Sequence, residues 1–111
     1  MEIFFDNRKL ADLFNSEKKL IQKFGSENGK LIMRRMQLLQ ASNCLNDVSP
    51  LPPTRRHELT GNKKGQFALD LKHPFRLIVE PCHDPLPKKP NHELDLTKIT
   101  AIKIVDVEDY H

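Results

Sequence analysis

The chain has 111 residues, of which 38% are hydrophobic, 30% charged and 6% aromatic, and its net charge is +3. This length and composition suit one globular domain over residues 1–111 with a modest core, and they argue against a disordered chain. The apolar runs are far shorter than a membrane span, and acidic Glu2 and Asp6 stand where a secretory signal would be basic. We therefore expect a cytoplasmic protein without membrane contact.

The first half of the chain predicts a short strand followed by three helical segments. "MEIFF" is typical of a strand, and Asp6 is the expected N-cap of a helix over "NRKLADLF". Ser16 is expected to cap a second segment that ends at Gly25. A third helix is predicted from about Lys30 to Ser42, and all three segments repeat apolar residues at helical spacing. These apolar stripes indicate core packing.

The second half of the chain changes to a strand-like pattern after the prolines of "DVSPLPPTRR". "QFALDL" alternates apolar and other residues, and "FRLIVEP" and "ITAIKIVDV" are rich in branched residues. The intervening "HDPLPKKPNHELD" predicts a long surface loop. Helices followed by strands predict an α+β domain in which N-terminal helices pack on a twisted antiparallel sheet.

The segment "RRHELTGNKKGQFALDL" predicts a β-hairpin with a basic turn. Gly61 and Gly65 flank the turn and can adopt the backbone angles that it requires. If the first strand is extended, Arg55, His57 and Leu59 lie on one of its faces.

The last strand is predicted to continue into "IVDVEDYH". Its alternation places Val107, Asp109 and His111 on one face and Tyr110 on the other. Because strand pairing orders a chain, we expect this end to be ordered.

Positive charge is concentrated in the middle of the chain. Between Arg55 and Arg76 there are six Lys or Arg residues and two acids, an excess of four positive charges. Two interpretations remain open: this segment binds a polyanion such as nucleic acid, or it is an ordinary solvated face.

Metal binding is the less favoured interpretation of the cysteines and their neighbours. Cys82, His83 and His92 fall in one loop region, but their spacing matches no standard zinc pattern. We expect Cys44 and Cys82 to be reduced thiols, and we expect no metal or other cofactor.

With these residues in view, the sequence resembles a known family. "RRHELTGNKKGQFALDL" with "FRLIVEP" and the final "IVDVEDYH" is similar to the HigB-type branch of the RelE/ParE superfamily. These proteins are toxins of bacterial type II toxin-antitoxin modules, also called plasmid-maintenance killer proteins. The resemblance covers the whole chain in element order, and it implies a small RelE-like α+β domain and a ribosome-dependent endoribonuclease that cuts mRNA.

The resemblance also implies a set of site residues. His57, Arg76, Asp109 and His111 match catalytic positions, and Tyr110 matches a position that binds substrate. Relatives often carry a lysine where this chain has Thr60, so Lys63 or Lys64 is expected to replace it. Arg55 and Arg56, together with these lysines, are expected to seat the domain against ribosomal RNA.

These residue types also suit RNA cleavage by acid-base chemistry. The reaction needs a base for the 2′-hydroxyl, an acid for the leaving 5′-oxygen and cations for the phosphorane charge. Histidines and guanidinium groups supply these functions, a tyrosine can stack on a base, and Asp109 can orient a histidine. Which histidine is base and which is acid stays open.

Each assignment has a structural alternative. His57 can be a half-buried strand histidine bonded to the backbone, and Arg76 can pair with Glu80 or Asp70 across the sheet. Tyr110 can simply cover the edge of the core.

Two classes of function follow from the resemblance. The first is the mRNA endoribonuclease, and the second is a ParE-like toxin that binds DNA gyrase, or a toxin-fold protein whose task is to bind an antitoxin. The two potential proton-transfer histidines favour the first class. The implied partners are a helix-turn-helix antitoxin, the ribosome with its mRNA, and operator DNA only through the antitoxin.

Overall fold

Five strands and three helices make up residues 1–109, the part of the chain that the computed structural model describes. The strands are Glu2–Phe5 (β1), His57–Glu58 (β2), Phe67–Asp70 (β3), Phe75–Pro81 (β4) and Ala101–Asp109 (β5). The helices are Arg8–Phe14 (α1), Glu17–Phe24 (α2) and Ser26–Ala41 (α3), and short 3-10 turns lie at Leu45–Asp47, Gly61–Lys63 and Leu96–Lys98. The α+β class predicted from the sequence is confirmed.

Helix α1 is capped by the neighbour of the residue that was predicted. Asn7 has an extended backbone, and its Oδ1 accepts a hydrogen bond from the Leu10 amide at 2.8 Å. The Asp6 amide instead donates to the Ile104 carbonyl at 2.9 Å, and the Asp6 carboxylate pairs with Lys103 at 3.3 Å. The Asp6 prediction was wrong because this residue still belongs to the strand pairing, and its neighbour is an equally good capping residue.

Helix α3 begins at Ser26, earlier than the predicted start near residue 30. Ser16 caps α2 as predicted, and Gly25 ends α2 with a φ of 90°. Gly29 then allows α2 and α3 to approach closely, since a Cβ there would lie 2.7 Å from Ile21 Cγ1. Gly29 is thus a packing residue inside the helix.

The strands form one sheet in the order β1-β5-β4-β3-β2. β2, β3, β4 and β5 pair antiparallel, but β1 is parallel to β5, with Ile3 opposite Ile102. The predicted all-antiparallel sheet is therefore wrong at this edge. Parallel neighbours require a long connection, and here everything from α1 to β4 lies between the two strands. A four-residue strand pattern carries no information about direction.

The helices pack on one face of the sheet, where alternate strand residues form the main core. Phe67, Leu69 and Leu71 are buried there, which confirms the alternation predicted for "QFALDL". The opposite face, here called the open face, has a small apolar cluster of its own. Leu59, Ala68, Ile78 and Val105 form that cluster.

A β-bulge changes the alternation of β5. Val105 is an extra residue between the pairs Val79–Ile104 and Ile78–Asp106. Before the bulge the even-numbered positions 102 and 104 face the helices, and after it the odd-numbered positions do so. Position 108 consequently falls on the open face.

The predicted hairpin is confirmed by the pairing of β2 with β3, with His57 opposite Ala68. Gly61 and Gly65 have φ angles of 69° and 95°, as expected of the residues that flank this turn.

The predicted long loop separates β4 from β5, and a histidine fixes its start. His83 Nε2 accepts hydrogen bonds from the amides of Thr100 and Ala101 at 3.0 and 3.2 Å. This histidine therefore ties the loop to the beginning of β5. None of the helices in residues 1–109 has the length and apolar character needed to cross a membrane.

Candidate active site

His57 lies half-buried on the open face, in the short strand β2. Its Nδ1 is 2.8 Å from the carbonyl oxygen of Arg55. A carbonyl oxygen can only accept, so Nδ1 carries the proton, and Nε2 of the neutral ring keeps its lone pair. In this tautomer Nε2 is the ring nitrogen that can act as a general base.

Arg55 holds the carbonyl that orients His57. Its φ of 47° lies in the left-handed region, which is uncommon for a residue with a side chain. Its guanidinium forms two bonds to Asp70, from Nε to Oδ2 at 2.7 Å and from Nη2 to Oδ1 at 3.0 Å. Arg55 therefore leaves the extended strand that was predicted, but its side chain stays beside the open face.

Arg76 projects from β4 onto the same face. It pairs in register with Asp70 of β3 and with Glu108 of β5, and its side chain is 16% exposed. Its Nη2 donates to Glu108 Oε1 at 3.2 Å. The Cα atoms of His57 and Arg76 are two strand spacings apart across the sheet and two residues apart along the strand direction, a distance of about 12 Å. Both side chains can thus reach one phosphodiester between them.

Lys63 reaches the open face from the hairpin turn. Its Nζ donates to Glu108 Oε2 at 2.8 Å, so the turn folds over the sheet toward β5. Glu108 therefore joins the turn lysine to the strand arginine through its two oxygens. The hydrogen bond from Lys63, and then the one from Arg76, hold the pKa of the Glu108 carboxyl below its usual range.

Glu108 was not among the residues predicted from the sequence. The available signal was a carboxylate near the end of a strand rich in branched residues, but the bulge hides which face that position occupies.

Arg56 and Lys64 were also predicted to contact RNA, but their side chains lie outside the group formed by His57, Arg76 and Lys63. Arg56 donates to the carbonyl of Leu45 at 2.7 Å, and burial lowers the pKa of its guanidinium. Lys64 is exposed and lines a groove of about 790 Å³ between the turn and the long loop, together with Leu86 and His92. Lys63 is thus the turn lysine that the structure brings to the candidate site.

The predicted residues of the last strand are only partly described. Asp109 is exposed and pairs with Phe75, so the strand alternation places it on the opposite face from Arg76. Tyr110 and His111 lie outside the described residues.

Four of the six cations between residues 55 and 76 pair with three carboxylates, and Glu108 is shared by two of them. Among the described residues, Arg56 and Lys64 take part in no salt bridge. The pairs are Arg55–Asp70, Lys63–Glu108, Arg76–Glu108 and Lys72–Glu27. The basic stretch therefore offers less free charge than the sequence suggested.

No group of three or more His, Cys, Asp or Glu side chains within residues 1–109 is placed to hold a metal ion. Cys44 and Cys82 are free thiols, and Cys82 is exposed.

In comparisons with known proteins, no family model matches this chain and no curated protein matches it.

Proposed function

We propose that this chain is an endoribonuclease toxin of a bacterial type II toxin-antitoxin module, of the HigB-type branch of the RelE/ParE superfamily. The observation that carries the proposal is that His57 shares one face of the sheet with Arg76 and Lys63. The hydrogen bond from His57 Nδ1 to the Arg55 carbonyl leaves Nε2 available as a base on that face. The packing of the three helices on the side of the sheet opposite His57 and Arg76 supports the same assignment.

The proposed reaction is cleavage by transphosphorylation. His57 Nε2 takes the proton of a 2′-hydroxyl, and the 2′-oxygen attacks the adjacent phosphorus. The bond from phosphorus to the 5′-oxygen breaks, a 2′,3′-cyclic phosphate remains on one fragment, and the 5′-oxygen leaves with a proton. We assign this proton to His111, the other histidine that the resemblance places among the site residues.

Arg76 and Lys63 supply the positive charge for this reaction. The phosphorane carries more negative charge than the substrate, so cations fixed beside it stabilise the transition state. Arg76 is mostly buried, and Glu108 holds its guanidinium against β5. A guanidinium fixed in this way keeps its charge beside the phosphodiester with little loss of entropy.

The proposal includes the partners and the compartment. The toxin acts in the cytoplasm on mRNA bound to the ribosome, and an antitoxin with a helix-turn-helix domain restrains it and links it to operator DNA. Tyr110 is proposed to stack on an RNA base, and Lys64 with Lys63 to contact phosphates.

Transcript mapping after induction tests this proposal against the gyrase-binding alternative. Primer extension should show discrete cuts inside translated frames, and co-expression of the antitoxin should suppress them. The matched control is His57→Ala, which should leave transcripts intact at the same protein level. Intact transcripts together with a DNA-damage response in cells expressing the wild-type chain would contradict the nuclease and support the ParE-like function.

A further inference from the structure

A second concentration of positive charge lies on the N-terminal helices. A groove of about 540 Å³ between α1 and α2 is lined by Arg8, Lys9, Asp12, Leu13, Lys19 and Lys23. Four of these six residues are cations and one is an acid. We call this surface the cationic groove.

The cations of this groove are not compensated within the domain. None of the four forms a salt bridge with another residue in the described part of the chain. The Lys23 ammonium lies 5.6 Å from the centre of the Phe24 ring, a contact that leaves its charge in place. Four of the six cations between residues 55 and 76, in contrast, pair with carboxylates.

Two arrangements of these cations oppose local helix stability. Arg8 and Lys9 stand in the first turn of α1, which has no acid, although the positive end of the helix dipole favours acids there. Lys19 and Lys23 are four residues apart on α2, so their like charges are neighbours on the helix surface. A bound polyanion would relieve both unfavourable arrangements.

The chemistry of the groove favours an RNA backbone over a protein partner. Protein interfaces centre on buried apolar or aromatic anchors, whereas nucleic-acid interfaces are polar and strongly positive. The large exposed hydrophobic residues within residues 1–109 are Phe4, Leu51 and Leu86, and none of them is on α1 or α2. Lysines, moreover, bind phosphates as point charges without needing a defined geometry.

We infer that the cationic groove docks the phosphate backbone of ribosomal RNA while the open face engages mRNA. The inference rests on the proposed function for the identity of the RNA. The helices and the open face lie on opposite sides of the sheet, so both surfaces can be occupied at once. The groove thus supplies affinity for the ribosome, and the open face supplies the chemistry.

The test compares two variants with the same loss of charge. The first carries Lys9→Gln, Lys19→Gln and Lys23→Gln in the groove, and the control carries Lys88→Gln, Lys89→Gln and Lys98→Gln in the exposed loop region. Binding to purified ribosomes is measured from roughly 50 to roughly 200 mM salt, where each phosphate contact contributes about 0.7 to 0.9 to the salt slope. The groove variant should lower the slope by about 2 to 3, so that the wild-type chain loses about 20- to 40-fold more affinity than this variant over that range.

The control variant should keep nearly the wild-type slope, and circular dichroism should show that both variants fold. Equal salt slopes for the groove variant and the control would overturn the inference. Loss of antitoxin binding by the groove variant with unchanged ribosome binding would also overturn it, because the groove would then bind an acidic protein. If the groove variant cleaves mRNA and keeps the wild-type salt slope, the docking inference is refuted and the proposed nuclease is not. If the wild-type chain binds ribosomes through the groove but does not cleave mRNA, the proposed nuclease is refuted and the docking inference is supported.

Discussion

The substitution Glu108→Gln should make the candidate site bind RNA more tightly. The wild-type carboxylate contacts Lys63 at 2.8 Å and Arg76 at 3.2 Å, so it occupies donors that a phosphate would use. Glutamine has the same shape without the negative charge. A phosphate about 5 Å from the carboxylate position would escape a repulsion of about 1–3 kcal/mol at an effective dielectric constant of about 20 to 80. Binding should therefore tighten by about 5- to 150-fold.

The assay is fluorescence anisotropy of a labelled single-stranded RNA whose 2′-hydroxyls are methylated, so that cleavage cannot occur. Glu93→Gln is the matched control, because it removes one negative charge from an exposed loop residue and should leave the affinity nearly unchanged. The two lost ion pairs are partly exposed, so the free energy of unfolding should fall by about 0–1 kcal/mol for each. Equal or weaker RNA binding by Glu108→Gln would refute the view that Lys63 and Arg76 face the substrate phosphate.

Further predictions concern stability. Gly29→Ala should lower the free energy of unfolding by about 1–3 kcal/mol in urea titrations, because its Cβ would lie 2.7 Å from Ile21 Cγ1; a stabilised variant would contradict the close helix contact. Asn7→Ala should lower the free energy of unfolding by about 1 kcal/mol through loss of the helix cap, and Asp6→Ala should lower it less. A larger loss for Asp6→Ala would indicate that Asp6 is the capping residue. The pKa of Glu108 is held below its ordinary value of 4.5, so its stabilising effect is present above pH 4.5 and is lost as the pH falls through the lower folded-state pKa. The melting temperatures of the wild-type chain and Glu108→Gln should converge in that acidic range, and a constant difference would contradict the ion pairs.

Sequence reasoning predicted the fold where local periodicity determines it. The buried residues Ile32, Met36 and Leu39 follow the helical repeat of α3, and the alternation of β3 follows its apolar residues. Both patterns record which side of an element meets the core, so a single chain reveals them. The position of the turn was equally predictable from Gly61 and Gly65, because its backbone angles exclude most other residues.

The features that were missed depend on contacts between distant parts of the chain. The direction of β1 is set by its pairing with β5, about a hundred residues away, and the role of Gly29 in α3 is set by its close packing against Ile21 of α2. The bulge at Val105 has no local signature, yet it decides that Glu108 lies beside Arg76.

The candidate site was predicted in part. Sequence reasoning selected His57 and Arg76, and both lie on the open face. The tautomer of His57 was not predictable, because it depends on the left-handed backbone at Arg55 and on the bond from Arg55 to Asp70.

The central claim is that His57 acts as a base toward RNA on the open face. Its most direct test is a purified reaction with ribosomes and a labelled mRNA, in which the cleaved ends are mapped and the 3′ end is analysed chemically. The account predicts cuts within the ribosome-bound reading frame, a 2′,3′-cyclic phosphate on the upstream fragment, and a rate about 10²- to 10⁴-fold lower for His57→Ala at unchanged ribosome binding. Full-length mRNA after incubation with the wild-type chain, or cleavage by His57→Ala at the wild-type rate, would contradict it.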